Sequence, residues 1–399
     1  MNPDRSSESN KPGLYVHIPF CSSICPYCDF AVLTGNRSRQ ERFVSHLLRE
    51  IELADDHGGH HGHRGKMRGF DTVYFGGGTP SFLYAEGLSE IVSAISKKGW
   101  LDTGCRWFLE ANPEDVTLSS LSVWQELGIR TLSLGVQSLD DEALPWLGRH
   151  HTVDDVHRSV GRVREAGFQS LSLDLIYGRP GQELADWRKE LETAVALEPD
   201  HLSCYQLTIH DRTLFGRRQR EGEVMEASED RQAELFRLTH EFLAAAGYEG
   251  YEVSNFARSV AHRSRHNQKY WYHTPYLGLG PSAHSFDGRS RFWNEGSLFD
   301  WQKKIDDGES GVEGRETLSD EELVLEAVML RMRTKDGLDL AWIRDNFDID
   351  FLKLNEDVVA KLSADGLLEL DENWLRPTLD GLAVADRLAV AFNIGTAVK

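Results

Sequence analysis

The sequence predicts an α/β protein: a partial (β/α) barrel of the TIM type, followed by a small C-terminal α+β module with a winged-helix-like pattern. Three observations carry this. Short β-branched or aromatic runs alternate with amphipathic helical stretches about six times before residue 250, which is the pattern of a parallel sheet with right-handed crossovers. The sharpest motifs follow predicted strands, at the ends where such barrels keep their chemistry. From Thr317 onward the alternation stops, and three helical patterns precede a hairpin pattern.

The strands are expected at 14–18 (LYVHI), 72–75 (TVYF), 106–110 (RWFLE), 131–136 (TLSLGV), 170–177 (SLSLDLIY) and 201–207 (HLSCYQL). Helices are expected at 39–54, 88–98, 153–167, 183–197 and 227–247, where apolar residues recur at three- and four-residue spacing. In the C-terminal module, 319–334, 340–347 and 351–366 read as helices, and the hairpin turns at Asp371 to Asn373. The expected organisation is a disordered tail over 1–12, the barrel over 13–250, a connecting region over 251–316 and the C-terminal module over 317–399. A winged helix suggests DNA, but residues 317–399 hold nine Lys or Arg against seventeen Asp or Glu. A phosphate backbone is repelled by that balance, so the module reads as a structural cap or protein-contact domain.

The whole chain of 399 residues carries a formal net charge of −20, which argues against nucleic acid as a partner. No apolar run approaches the roughly 20 residues that cross a bilayer, and MNPDRSSESNKPG at the start lacks the apolar stretch of a signal peptide. Five cysteines, three of them crowded together, do not make a disulfide framework. A reducing, cytoplasmic location is the expectation. The glycine-rich HGGHHGHRG (57–65) carries His57, His60, His61 and His63; it reads as a flexible insertion, with metal binding as the other reading.

CSSICPYC places Cys21, Cys25 and Cys28 in a loop after the first strand. Cys105 and Cys204 lie inside strands and read as small buried hydrophobes. Structural zinc asks for four ligands, and no second pair completes the set. Thiolates are the usual ligands of an iron–sulfur cluster; with three of them, one iron stays open to a small chelating molecule. Glu110, Gln137 and Asp174 stand at successive predicted strand ends, where they suit a cofactor's amine, hydroxyls and base; ordinary loop capping explains them equally well.

Cys-x3-Cys-x2-Cys after a first barrel strand resembles the radical S-adenosylmethionine (SAM) superfamily, as does FGGGTPS (75–81) after the second. That resemblance implies a [4Fe-4S] cluster on Cys21, Cys25 and Cys28, with SAM on its open iron. Glycine there is expected to let SAM approach the backbone. YVHIPFC, GGGTP, LEANPED, LGVQSLDDEALPWLGRHH and DLIYGRPGQ resemble, in order and spacing, the oxygen-independent coproporphyrinogen III oxidase family. By that resemblance Tyr15, Gly77 and Glu110 contact the cluster-bound SAM. Tyr27, Gly78, Thr79, Gln137, Arg149 and Asp174 fall where the oxidase holds a second SAM.

Two features depart from the oxidases. Phe30 stands where they carry a further cysteine, and RHNQKYW (265–271) supplies an HNxxYW motif. Both resemble the HemW branch, heme chaperones that lack oxidase activity. The resemblance implies heme as a third cofactor, bound at His266, and transfer of heme to an apo-protein acceptor, for which a respiratory, membrane-associated protein is a candidate. A neutral imidazole suits heme iron, and Tyr270 and Trp271 could pack on a porphyrin; read alone, a histidine beside aromatics is more often a satisfied hydrogen-bonding group. The competing reading is the oxidase itself, a radical SAM decarboxylase of coproporphyrinogen III. Arg179, in YGRPGQ, stands where an aliphatic is usual in the family and is assigned no role.

Overall fold

A computed structural model describes residues 11–56 and 67–394. Most of the expected tail and the whole His57–His63 tract lie outside the described residues. Six parallel strands follow the expected order: β1 (Gly13–Ile18), β2 (Phe70–Gly77), β3 (Leu101–Ala111), β4 (Ile129–Gln137), β5 (Ser170–Tyr177) and β6 (His201–Gln206). Each pairs in parallel with the next, from Gly13↔Thr72 through Tyr177↔Gln206. They form the middle of one twelve-stranded sheet with two separate ends, an open arc.

The helices that return the chain pack outside this arc because one face of each is apolar. Leu88, Ile91, Val92 and Ile95 line one face of the helix Ala85–Lys97, and Val156, Val160 and Val163 that of Val153–Ala166. The second helix begins on a Thr152–Asp155 capping box and ends on Gly167 with φ 77°, so both ends are specified locally. The apolar core runs through the sheet and these helices, with Leu14, Val16, Phe75, Leu132, Leu173 and Trp187 fully buried.

Residues 251–316 supply strands of the same sheet. Tyr276–Leu279 pairs in parallel with the free edge of β1 (Gly13↔Tyr276), and His284–Phe286, Ser290–Asn294 and Val312–Thr317 extend it antiparallel. Beyond them, a second core of Val324, Val328, Ile343, Phe351 and Leu375 gathers helices around a three-stranded sheet. The hairpin Leu368–Asp371 with Trp374–Pro377 turns where expected.

Three details differ from the sequence reading. The helix expected over 351–366 is broken into Phe351–Leu354 and Glu356–Ala364. Asn355 breaks it: its Nδ2 donates to the carbonyl of Phe351 (3.0 Å) and of Asn393 (2.9 Å), and its Oδ1 accepts from the Asn393 amide (2.7 Å). Two further short helices, Leu379–Ala383 and Ala385–Ala391, complete the module. Cys204 is buried, but Cys105 is only half-buried, because the ladder between β2 and β3 skips from Phe70↔Leu101 to Thr72↔Arg106 and leaves the residues between unpaired.

Candidate functional site

The C-terminal ends of the six strands surround a cavity of about 460 Å³. Cys21, Cys25, Cys28, Tyr27, Gly77, Gly78, Thr79, Glu110, Gln137, Arg149 and Asp174 all line it. Tyr15 and His266 do not. The cysteines are presented by a loop whose neck is closed by a short parallel pairing, Phe20↔Leu33 and Cys21↔Thr34. A turn bonds the Cys28 amide to the Cys25 carbonyl (3.1 Å), and the Phe215 amide donates to the Pro26 carbonyl (2.8 Å). Thus the helix Leu214–Arg220 is docked on the loop, and the Phe215 ring lies against Tyr27 and Trp146.

Thr79 Oγ1 and Arg149 Nη1 each lie 3.5 Å from a thiol sulfur, of Cys21 and Cys25 respectively. Burial raises the Cys21 thiol, opposed by the Thr79 hydroxyl, and pushes Cys28 up to about 11. Metal binding would therefore release protons from these thiols. Among the described residues no three His, Cys, Asp or Glu side chains converge on a point that one metal ion could occupy. A cubane asks for something else, since each thiolate meets a different iron. Three thiols ringing one cavity, all soft donors, fit a cluster that keeps one iron open.

Facing the loop is a set of buried polar groups. Glu110 accepts from the Tyr74 hydroxyl (2.8 Å) and from the Gly77 amide (3.3 Å). Its carboxyl is raised to about 7, chiefly by burial and secondarily by Asp174 nearby. Asp174, also raised by burial, accepts from Ser133 Oγ at 2.9 and 3.0 Å. Arg149 Nη2 bonds Asn112 Oδ1 and the Gly135 carbonyl (2.9 Å), while its Nε is buried with no hydrogen-bond partner. Gln137 closes β4 with φ 67°, a region that non-glycine residues adopt at a cost of about 1–3 kcal/mol. Two adjacent buried carboxyls, a half-satisfied guanidinium and a strained amide suit a small molecule with both charged and hydrogen-bonding ends.

The glycines have a further reason to be glycine. Gly77 has φ 113°, and a Cβ there would stand 2.6 Å from the His17 ring. At Gly78 a Cβ would meet the Phe20 carbonyl oxygen at 2.7 Å and the Pro19 carbonyl carbon at 2.9 Å. The turn is pressed against the backbone that enters the cysteine loop, with Gly78 N donating to Ile18 O and Thr79 N to Phe20 O, each at 2.8 Å. Close approach of chain to chain thus already demands what the sequence reading attributed to the cofactor.

Tyr15 sits one layer below. Its hydroxyl lies 3.1 Å from His17 Nδ1, and His17 Nε2 lies 3.0 Å from the Ala31 carbonyl in the cysteine loop. Tyr15 therefore supports the loop through His17. His266 lies lower still, at the other end of the sheet. It is 1% exposed, stacked on Tyr74 with ring centroids 5.1 Å apart, with Nδ1 2.9 Å from Thr72 Oγ1 and Nε2 3.0 Å from the Tyr270 hydroxyl. Strand rise puts Thr72 about 16 Å below Gly77. Burial drives the His266 imidazole down to about 3, so it is neutral, but both nitrogens are engaged. Iron ligation there requires one bond to break and the ring to leave its stack. The rest of the motif is anchored too: Lys269 Nζ holds Asp71 Oδ1 (2.6 Å) and the Lys11 carbonyl (2.7 Å).

A second cavity of about 80 Å³ shares Glu110, Ser133, Asp174 and Tyr205 with the first and reaches Ser264 and Asn267. Room for two or three waters thus lies inside the arc, between the cysteine end and the HNxxYW end. His17, Asn112 and Ser133 belong to the site and were not singled out by the sequence reading. His17 and Asn112 lie inside motifs already quoted, YVHIPFC and LEANPED; Ser133 had only its strand position to mark it.

Residues 15–194 match the Radical SAM superfamily and residues 318–384 the HemN C-terminal domain. The fold is shared with coproporphyrinogen III oxidase (HemN) from Escherichia coli, a structure 23% identical with a TM-score of 0.82 that covers 96% of this chain and 90% of that one. The chain is thus a radical SAM protein of the HemN fold, and membership of that superfamily implies a [4Fe-4S] cluster and SAM. Among its relatives, Heme chaperone HemW of Lactococcus lactis subsp. lactis (strain IL1403) is 32% identical, with 95% of this chain and 96% of the relative aligned. HemW of Bacillus subtilis (strain 168) is 30% identical over 95% and 98%. A bovine relative, Radical S-adenosyl methionine domain-containing protein 1, mitochondrial, is 31% identical over 96% and 87%. The chain belongs to the HemW family. No helix among the described residues is long and apolar enough to cross a membrane.

Proposed function

We propose that this chain is a heme chaperone: it binds a [4Fe-4S] cluster, SAM and heme, and passes heme to an apo-protein in the cytoplasm or on the cytoplasmic side of a membrane. The observation that carries the reading is the likeness to HemW proteins along nearly the whole length of both chains. Cys21, Cys25 and Cys28 would ligate the cluster. Glu110 and the backbone at Gly77 would orient the SAM on its open iron. Tyr27, Gly78, Thr79, Gln137, Arg149 and Asp174 would close round the remainder of the ligand volume, with Tyr15 steadying the loop from below. The cluster, when bound, supplies an electron source; the residues of the chain supply the thiolates, the charge pairing and the exclusion of water.

Phe30 favours delivery over decarboxylation. It is 70% exposed at the cavity rim, an apolar side chain where the oxidases carry a thiol. For heme, the HNxxYW motif offers His266 once its bonds to Thr72 and Tyr270 open. The deciding experiment is anaerobic cluster reconstitution, followed by separate assays of hemin binding, of hemin transfer to an apo-hemoprotein, and of coproporphyrinogen III decarboxylation. Hemin binding and transfer without decarboxylation is the expected result. Decarboxylation at turnover with no retained heme would replace this reading with the oxidase.

A further inference from the structure

The histidine best prepared to meet an incoming iron porphyrin is not in the HNxxYW motif. His210 lies at the rim of the cysteine cavity, with its side chain 49% exposed and Nδ1 3.5 Å from Asp29 Oδ2. Its Nε2 makes no hydrogen bond among the described residues. A carboxylate behind one imidazole nitrogen and an open lone pair on the other is the arrangement that metal-ligating histidines use. By contrast His150, on the same rim, has Nε2 3.2 Å from Ser23 Oγ, and His266 has neither nitrogen open.

The surroundings suit a flat apolar ligand with an acidic edge. Phe30 follows Asp29 directly and is 70% exposed; Ile24, in the same loop, is 53% exposed. Both side chains line the cavity, where apolar surface suits a flat ligand. Arg212, two residues beyond His210, is exposed and makes no ion pair among the described residues. In a chain with a formal net charge of −20, an exposed arginine two residues from the cavity rim offers the positive charge that a propionate seeks. His210 and Asp29 are held together by structure: the Phe215 amide bonds the Pro26 carbonyl, and Thr213 caps the helix that follows.

We propose that His210, backed by Asp29 and flanked by Phe30 and Ile24, is an axial ligand through which the chain takes up heme at the mouth of the cluster cavity. The inference rests on the heme-chaperone reading and adds its entry site. Heme enters on the side of the sheet that holds the cysteines, whereas His266 packs on Tyr74 inside the arc. The Nε2 lone pair would be free for iron while Nδ1 faces the Asp29 carboxylate, and Phe30 would offer apolar contact to the porphyrin.

The test is a hemin titration of the full-length, cluster-loaded chain followed by absorbance and EPR, with iron and sulfide measured in each variant to show an intact cluster. His210→Ala should weaken hemin binding at least tenfold and remove the histidine-ligated Soret and low-spin signals, and added imidazole should restore them. Asp29→Asn should keep the signals but shift the heme reduction potential upward, as loss of an anionic partner requires. Failure of the wild-type chain to bind hemin at all overturns the chaperone reading itself. Hemin binding by the wild type that His210→Ala leaves unchanged overturns this inference alone, whether or not His266→Ala abolishes the signal.

Discussion

Replacing Gly78 by Ala adds one methyl group at the place where the glycine turn touches the entrance to the cysteine loop. That methyl would lie 2.7 Å from the Phe20 carbonyl oxygen, 2.9 Å from the Pro19 carbonyl carbon and 3.0 Å from the Ile18 carbonyl oxygen. All three are backbone atoms, so no side chain can swing aside. The strand and the turn must separate by several tenths of an ångström, stretching Gly78 N–Ile18 O and Thr79 N–Phe20 O, now both 2.8 Å. Overpacking of this kind costs about 1–3 kcal/mol, and each weakened bond adds up to about 1 kcal/mol. A total of about 1–5 kcal/mol falls on a loop that carries Cys21 in its first position. Cluster occupancy should therefore drop well below that of wild type, with helical content unchanged. The assay is iron and sulfide per chain after anaerobic reconstitution, with circular dichroism as the control for folding. A variant with full occupancy and an unaltered EPR response to SAM would refute the claim that the turn positions the cysteine loop.

Cys21→Ala, Cys25→Ala and Cys28→Ala should each abolish the cubane, while Cys105→Ala and Cys204→Ala keep it; iron analysis that finds an intact cluster in Cys25→Ala would remove the ligand assignment. Glu110, raised to about 7 by burial, retains its proton in the folded chain where the unfolded chain releases it above its ordinary value of 4.5. Its contribution to stability accordingly falls as pH rises from about 4.5 to 7, reaching a cost of about 3 kcal/mol above that. Glu110→Gln should thus gain in Tm relative to wild type, in the absence of SAM, between about pH 5 and 7.5; parallel Tm–pH curves for the two would show that Glu110 is not the responsible group.

The parallel strands were legible because each is a short run rich in apolar and β-branched residues, almost wholly buried in Gly13–Ile18, Phe70–Gly77 and Ser170–Tyr177 and alternately buried in Ile129–Gln137. β5 reads SLSLDLIY, with Asp174 its one charged residue, and that residue lines the cavity. The strands between Glu249 and Thr317 were not legible: they are two to six residues long, and Val312–Thr317 (VEGRET) is mostly exposed. The one that joins them to the barrel, Tyr276–Leu279, depends on pairing across more than 250 residues, Gly13↔Tyr276, which no local pattern encodes. The same limit applies to the site. Spacing alone gathered the cysteines, and motif order gathered Gly77 through Asp174. Which end of the sheet receives His266 depended on that distant pairing, and its engagement with Thr72 and Tyr270 could not be read from RHNQKYW.

The position of β1 has a consequence for how the protein is made. This strand delivers the cysteines, and it is flanked by β2 on one side and by Tyr276–Leu279 on the other. Its second neighbour is translated some 200 residues after its first. At about 5–20 residues per second, one edge of the cysteine-bearing strand stays uncovered on the ribosome for roughly 10–40 seconds. During that interval Lys269 has not yet reached Asp71, and the lower end of the arc is open. Iron and sulfide are therefore best delivered after release, when the last neighbour has docked and the loop neck is braced. Slowing translation between residues 80 and 270 would lengthen the exposure of those thiols without altering the finished fold.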